Sequence, residues 1–263
     1  MRYNIVKPVP PLQSLIDVYF QISGRLSNTE FITLLPEGGV NLFVNLGECI
    51  HSTGLDKKIN HGGIYLVGPM MKSDVQIIRN EALLFGVRFK PGAFSYFHRY
   101  DSLDQIANSF QEFTPKLFPD IKKIISNFAA YLDEYYLHKL SAPKNSVLNC
   151  VTEIQQKGGS INIQTLARKH FMSERQLERL FKQQVGVSPK KFADLQRFHQ
   201  AFGMLNSRVG CSMEEIAWDC GYYDHAHLTN DFKRYIGQPP SAFFFVGFFQ
   251  NDNQRVLVPC SGY

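Results

Sequence analysis

Residues 163–192 read IQTLARKHFMSERQLERLFKQQVGVSPKKF, and residues 213–243 read MEEIAWDCGYYDHAHLTNDFKRYIGQPPSAF. The two stretches are one pattern written twice. Leu166-Ala167 matches Ile216-Ala217 at an offset of 50. Beyond that point the offset becomes 51, pairing Leu177 with Leu228, Phe181 with Phe232, Lys182 with Lys233, Gly186 with Gly237, Pro189 with Pro240 and Phe192 with Phe243. A fixed-period match over so many positions is harder to obtain by chance than a single motif. The one-residue slip falls where a turn can absorb it.

Each copy has the parts of a helix-turn-helix. In the first, Ile163–His170 is a short helix with Leu166 and Ala167 inward, and Phe171-Met172 is the turn. Ser173 is placed to cap a second helix from Glu174 to Val185, which buries Leu177, Leu180 and Phe181 at steps of three and four and ends near Gly186. In the second copy, Met213–Cys220 is the short helix and Gly221 the turn, with Asp224 capping a helix to Tyr235 that Gly237 closes. Pro189 and Pro240 each open a further helix, where a missing N–H costs nothing. The helix from Pro189 to about Leu205 joins the units.

The outer face of each second helix then becomes a candidate reader of base edges in a major groove. The first face carries Arg175, Gln176, Glu178 and Arg179, and the second His225, Ala226, Thr229 and Asn230. Arginine pairs bidentately with guanine, glutamine and asparagine with adenine, and glutamate accepts from cytosine, while alanine or threonine touches a thymine methyl. Lys182, Lys190, Lys191, Lys233 and Arg234 are the expected phosphate contacts. An ordinary polar helix face would carry similar residues, and the repeat is what favours the functional reading.

Working outward, Pro143 in Ser141-Ala142-Pro143-Lys144-Asn145 marks a boundary, giving expected domains at 1–140 and 144–245 and a tail at 246–263. Before it, β-rich runs at 31–34, 40–46, 64–67, 75–78 and 83–89 alternate with Gly/Pro breakers, the pattern of a small barrel or sandwich. Ile121, Ile124, Ile125, Phe128, Leu132, Tyr135 and Tyr136 then recur with helical period. That helix packs on the β-rich part or seams two copies together. The expected class is therefore α+β in two domains: a β-barrel or sandwich with helices, then an all-α domain.

Charge agrees with this division. Residues 144–245 hold 13 Lys+Arg against 9 Asp+Glu, whereas residues 1–143 hold 14 against 13. Most of the net +5 thus lies in the repeat-bearing part, as nucleic-acid contact requires. No apolar run of about 20 residues and no signal-like N-terminus occur, so residence in the cytoplasm, away from membranes, is the expectation. The five cysteines are scattered without a Cys-x-x-Cys pair, which argues against a disulfide framework or zinc ribbon.

The repeat resembles the AraC/XylS family of transcription regulators. Ile216-Ala217, Gly221-Tyr222, Asp224-His225, His227-Leu228, Phe232-Lys233, Gly237 and Pro240-Ser241 carry the resemblance most specifically. Leu166-Ala167, Ser173, Arg175-Gln176-Leu177, Arg179, Phe181-Lys182, Gly186 and Ser188-Pro189 support it. It implies two recognition helices in successive major grooves of double-stranded DNA, with base contacts at Arg175, Glu178, Arg179, His225, Thr229 and Asn230. Phe171 departs from the family, which often has glycine there; if the turn needs positive φ, phenylalanine is strained. Leu35-Pro36-Glu37-Gly38, residues 41–47 and residues 85–92 are similar to a sensor domain of one branch of the family. The implied further partners are a small-molecule effector, RNA polymerase and a second copy of the chain.

Three alternatives are weighed against this. A sensor acting mainly through protein contacts would bind DNA weakly. A cupin-like metalloenzyme would need clustered histidines, but His51, His61 and His98 lie apart, and His225-x-His227 sits on a helix, where i and i+2 diverge. A DNA-repair enzyme would need a reactive cysteine; Cys49 is read instead as a buried structural thiol. No metal, cofactor or catalytic residue is expected.

Overall fold

The computed structural model describes residues 1–25, 27, 29–143, 145–207, 212–241 and 254–257. Its first part contains strands β1 (Arg2–Val6), β2 (Ile16–Arg25), β3 (Glu30–Leu34), β4 (Val40–Asn45), β5 (Ile50–Ser52) and β6 (Lys57–Ile59). These are followed by β7 (Ile64–Val67), β8 (Asp74–Ile78), β9 (Glu81–Phe89) and β10 (Phe110–Glu112), then helices α1 (Ile121–Ser126) and α2 (Phe128–Lys139). One sheet has the order β1-β2-β9-β4-β7-β10, and the other β11-β3-β8-β5-β6, where β11 is Gln254–Leu257. β11 runs parallel to β3, so part of the tail expected at 246–263 is ordered into a strand.

The strand period decides the layers. On β4, Val40, Leu42 and Val44 point to one side and Phe43 to the other; on β9, Phe85, Val87 and Phe89 oppose Ala82 and Leu84. The first set packs under Leu132 and Tyr136 of α2 and Ile124 of α1. The second meets Ile32, Ile50, Ile59 and Ile78 of the other sheet. The larger sheet is thus buried on both faces, between helices and the second sheet, as a sandwich rather than a closed barrel. The helical period at 121–136 therefore belongs to packing on the sheet, and Asn127 breaks it into two helices. Cys49 corrects the sequence expectation: it is exposed, in the turn before β5, where no strand partner covers it.

The second part is helical: α3 (Leu148–Gln156), α4 (Ile163–Lys169), α5 (Glu174–Gln184), α6 (Pro189–Ser207), α7 (Met213–Asp219) and α8 (His225–Ile236). It has two cores. Leu166, Ala167, Leu177, Leu180 and Phe181 close the first with Val151 of α3 and Val147, the residue that caps it. Ile216, Ala217, Leu228 and Phe232 close the second against Phe198 and Phe202 of α6. The helix expected from Pro240 lies largely outside the described residues. Among the described residues, no helix is long and apolar enough to cross a membrane.

Candidate nucleic-acid interface

The two helix-turn-helix units share the same turn bonds. In the first turn, Met172 N–H donates to Ala167 O at 2.9 Å and Phe171 N–H to Arg168 O at 3.1 Å. In the second, Tyr222 N–H donates to Ala217 O at 2.8 Å and Gly221 N–H to Trp218 O at 3.0 Å. The turn requires the left-handed region in both: Gly221 has φ +72° and Phe171 φ +55°. Phe171 keeps the turn at a cost of about 1–2 kcal/mol that glycine does not incur, and its ring is 98% exposed, so packing returns none of it. The one-residue slip in the repeat is Tyr223, an exposed residue inserted between turn and cap.

Capping then fixes where each second helix begins. Ser173 Oγ accepts from Gln176 N at 3.2 Å, and Asp224 Oδ1 accepts from His227 N at 2.7 Å. The short helices are held likewise: Asn162 caps α4, and Ser212 with Glu215 forms a reciprocal capping box on α7. With the starts set and Leu177, Leu180, Phe181, Leu228 and Phe232 buried, the opposite faces must look outward. Arg175, Glu178, Arg179 and Lys182 on α5 are exposed and Gln176 is half-buried; on α8, His225, Ala226, Asn230 and Lys233 are exposed and Thr229 half-buried.

Several of these groups already hold partners. Glu178 pairs with Lys182 at 3.5 Å, Lys190 with Asp194 at 3.1 Å, and His225 Nδ1 lies 3.2 Å from Glu214. Arg234 is held by Asp231 at 3.1 Å and donates to Tyr235 Oη at 2.7 Å. Lys191 is exposed at the start of α6. The α5 face opens onto a cleft whose other wall is Asp101, Ser102 and Asp104 from the β-rich part. The sequence offered no signal for those carboxylates, because a fold contact between segments seventy residues apart leaves no local pattern.

A second site lies inside the sandwich. A cavity of about 180 Å³ has apolar walls including Phe20, Ile32, Phe43, Leu84 and Phe110. At one end, Arg88 Nε lies 3.2 Å from Glu37 and Arg88 Nη1 lies 3.9 Å from Asp17, which Lys7 meets at 2.9 Å. Burial raises the Glu37 carboxyl above the usual carboxylate range, opposed by the Arg88 charge. Two segments line this cavity and also touch the helical part. Leu35, Glu37 and Gly39 face the cavity, while Leu35 packs with Leu195 and Phe198 and Pro36 O accepts from His199 Nε2 at 2.9 Å. Gly38 lies so close to α6 that an added Cβ would stand 2.7 Å from the Phe192 ring. The other segment, Met70–Asp74, pairs with the first through Glu37 N–H to Met70 O at 2.7 Å and Met70 N–H to Glu37 O at 2.8 Å. Its Ser73 N–H donates to Tyr235 O, at the end of α8, at 2.7 Å.

Comparison with known proteins follows the same division. Residues 166–244 match a family model described as a helix-turn-helix domain, and residues 4–111 one described as a domain of unknown function (DUF6597). The HTH-type transcriptional activator RhaS of Escherichia coli is 31% identical over 80 residues, covering 30% of this chain and 28% of RhaS. The Msm operon regulatory protein of Streptococcus mutans is 26% identical over 120 residues, covering 44% of this chain and 43% of that one. The chain thus spans less than half the length of these curated relatives. The solved structure of ToxT from Vibrio cholerae is 10% identical with a TM-score of 0.46, covering 86% of this chain and 98% of that chain.

Proposed function

We propose, from the premise that residues 166–244 form a helix-turn-helix domain of the AraC type, that this chain is a sequence-specific DNA-binding transcription regulator. It is a regulator rather than an enzyme, and acts in the cytoplasm on double-stranded DNA. The observation that carries the reading is the pair of equivalent capped units on one rigid connector. α6 has 19 residues and so spans roughly 28 Å, close to the ~34 Å of one duplex turn. Two recognition helices held at that separation fit successive major grooves on one side of the duplex. Arg175, Gln176, Glu178 and Arg179 would read one segment, and His225, Ala226, Thr229 and Asn230 the next. Lys182, Lys190, Lys191, Lys233 and Arg234 would hold phosphates; Arg234 would do so without leaving Asp231, since a guanidinium has five donors. RNA polymerase and a second copy of the chain would be the protein partners.

Selection of bound sites from a random duplex pool by the full chain tests this. The expected product is a motif of two half-sites roughly 10 bp apart; salt-sensitive retention with no motif would overturn it. Within that motif, Arg179→Ala is expected to cost about 1–3 kcal/mol and to relax discrimination at one base pair. Unchanged base preference in a quantitative gel shift would remove Arg179 from the reading face.

The β-rich part would modulate this activity through a small molecule in the sandwich cavity. Leu35–Gly39 and Met70–Asp74 supply the coupling, since each lines the cavity and bonds to the helical part. Asp101 and Asp104 bear on the same control. Across the cleft from α5 they attract its cations and repel the phosphates that would replace them. The double substitution Asp101→Asn, Asp104→Asn is expected to tighten DNA binding by about 1 kcal/mol, roughly fivefold, and more at low salt. Equal affinities for wild type and variant at low ionic strength would show that the cleft exerts no such brake.

A further inference from the structure

The walls of the sandwich cavity specify the chemistry of what it holds, an inference that rests on the proposed effector role of this cavity. β8 presents Asp74, Gln76 and Ile78 inward by its two-residue period, and all three line the space. The Asp74 carboxylate is satisfied: Ser52 Oγ donates to it at 2.7 Å, Gly54 N–H at 2.8 Å, and Gln76 Nε2 donates to it as well. The amide is assigned with its nitrogen toward Asp74, since only the nitrogen can donate to a carboxylate. The amide oxygen, Gln76 Oε1, is therefore the group left over. It is buried, on a residue only 8% exposed, with no hydrogen-bond partner among the described residues. A buried acceptor without a donor is unfavourable, and a ligand with one donor relieves it.

Most of the rest of the wall is apolar. The cavity sides are Phe, Ile and Leu, where an ion loses its hydration without compensation. Of the two cations that line the space, Lys72 is exposed to solvent and Arg88 is already set between Glu37 and Asp17. An anionic headgroup entering there would meet those two carboxylates. Size gives the remaining limit: an apolar cavity of about 150 Å³ accommodates benzene, and this one measures about 180 Å³. We propose that the cavity takes an uncharged, mainly apolar molecule of one or two rings carrying a single hydrogen-bond donor, which Gln76 Oε1 receives.

Indole and indene test this as a matched pair, nearly identical in shape and differing in the N–H. Calorimetric titration of the full chain, without DNA, should show indole binding roughly tenfold tighter than indene. Gln76→Leu should bring indole down to the indene level and leave indene unweakened. 1-Naphthoate, an anion of similar bulk, should bind more weakly than indole. Equal affinity of wild type for indole and indene, tighter binding of 1-naphthoate, or no binding of any of the three at saturating concentration would overturn the proposal. The wild-type comparison stands whether or not the variant folds. Site selection from random DNA is separate: a chain that selects its motif but does not distinguish indole from indene loses this ligand class and remains a regulator. A chain that distinguishes them but selects no motif loses the regulator reading.

Discussion

Phe198→Ala is expected to lower the unfolding free energy by about 3–5 kcal/mol, the cost of emptying a fully buried aromatic site. Phe198 is 0% exposed and lies midway along α6. Its ring centroid is 5.0 Å from Phe232 in an edge-on arrangement, 4.7 Å from Tyr235 and 5.9 Å from Phe202. It therefore joins the connector to the buried side of α8, and Leu35 of the β-rich part packs in the same cluster. Loss of the ring should release α8 from α6 and with it the fixed spacing of the two reading faces. Urea unfolding followed by far-UV circular dichroism measures the loss. Phe171→Gly is the internal control, the same residue type removed from a fully exposed position. There the left-handed backbone is relieved and no packing is lost, so stability should rise by about 1 kcal/mol. A Phe198→Ala loss below that of an ordinary surface change would show that the second core does not depend on this ring.

The same two phenylalanines show what a linear reading can and cannot see. The helical part was legible because its information is local: period, cap and turn residues lie within one unit, and the repeat doubles the signal. The expected caps Ser173 and Asp224 and the closing glycines Gly186 and Gly237 all occupy those places, the glycines at φ +87° and +86°. In the β-rich part, the runs at 31–34, 40–46, 64–67, 75–78 and 83–89 correspond to β3, β4, β7, β8 and β9. β5, β6 and β10, at three residues each, are too short to show a period, and β11 is held by pairing to a strand more than two hundred residues away. β1 and β2 escaped because β1 is largely exposed and the outer end of β2 only half-buried, without the apolar alternation of a covered strand. The cavity escaped for a related reason. Glu37, the Asp74 and Gln76 pair of β8, and Arg88 come from three places in the chain, and a buried polar residue in a strand looks in sequence like a solvated one. Only the sheets bring them to one space. The acidic wall opposite α5 is the same case.

His98 supplies the largest expected pH effect, and its direction follows from its surroundings. The ring is 4% exposed, stacked on Phe94 at 4.7 Å and edge-on to Phe113 at 5.4 Å. Lys139 Nζ, 3.3 Å from Nδ1, donates to it, which leaves the imidazole neutral with its proton on Nε2. Burial first, and then the Lys139 charge, pull the His98 pKa from 6.5 down to about 3. An unfolded chain takes up this proton as the pH falls below about 6.5, whereas the folded chain refuses it until about 3. The stabilisation is complete above pH 6.5 and is lost on acidification with a slope approaching one proton, so on the order of 2–3 kcal/mol has gone by pH ~4.5. Glu37 acts with the opposite sign. Its raised carboxyl holds a proton in the folded state that the unfolded chain has released, so acidification through that range favours folding. Burial also lowers the His199 pKa, to about 4, so a single stability curve would mix these groups, and the difference between wild type and His98→Phe isolates His98. The phenylalanine keeps the aromatic packing and removes the titrating nitrogen, so the variant should lose less stability between pH 6.5 and 4.5, by a slope of about one proton. Parallel curves for the two proteins would mean that the folded protein lets His98 take up its proton, by water entry or by movement of Lys139. In that case the aromatic layer under α2 would be open to solvent rather than sealed.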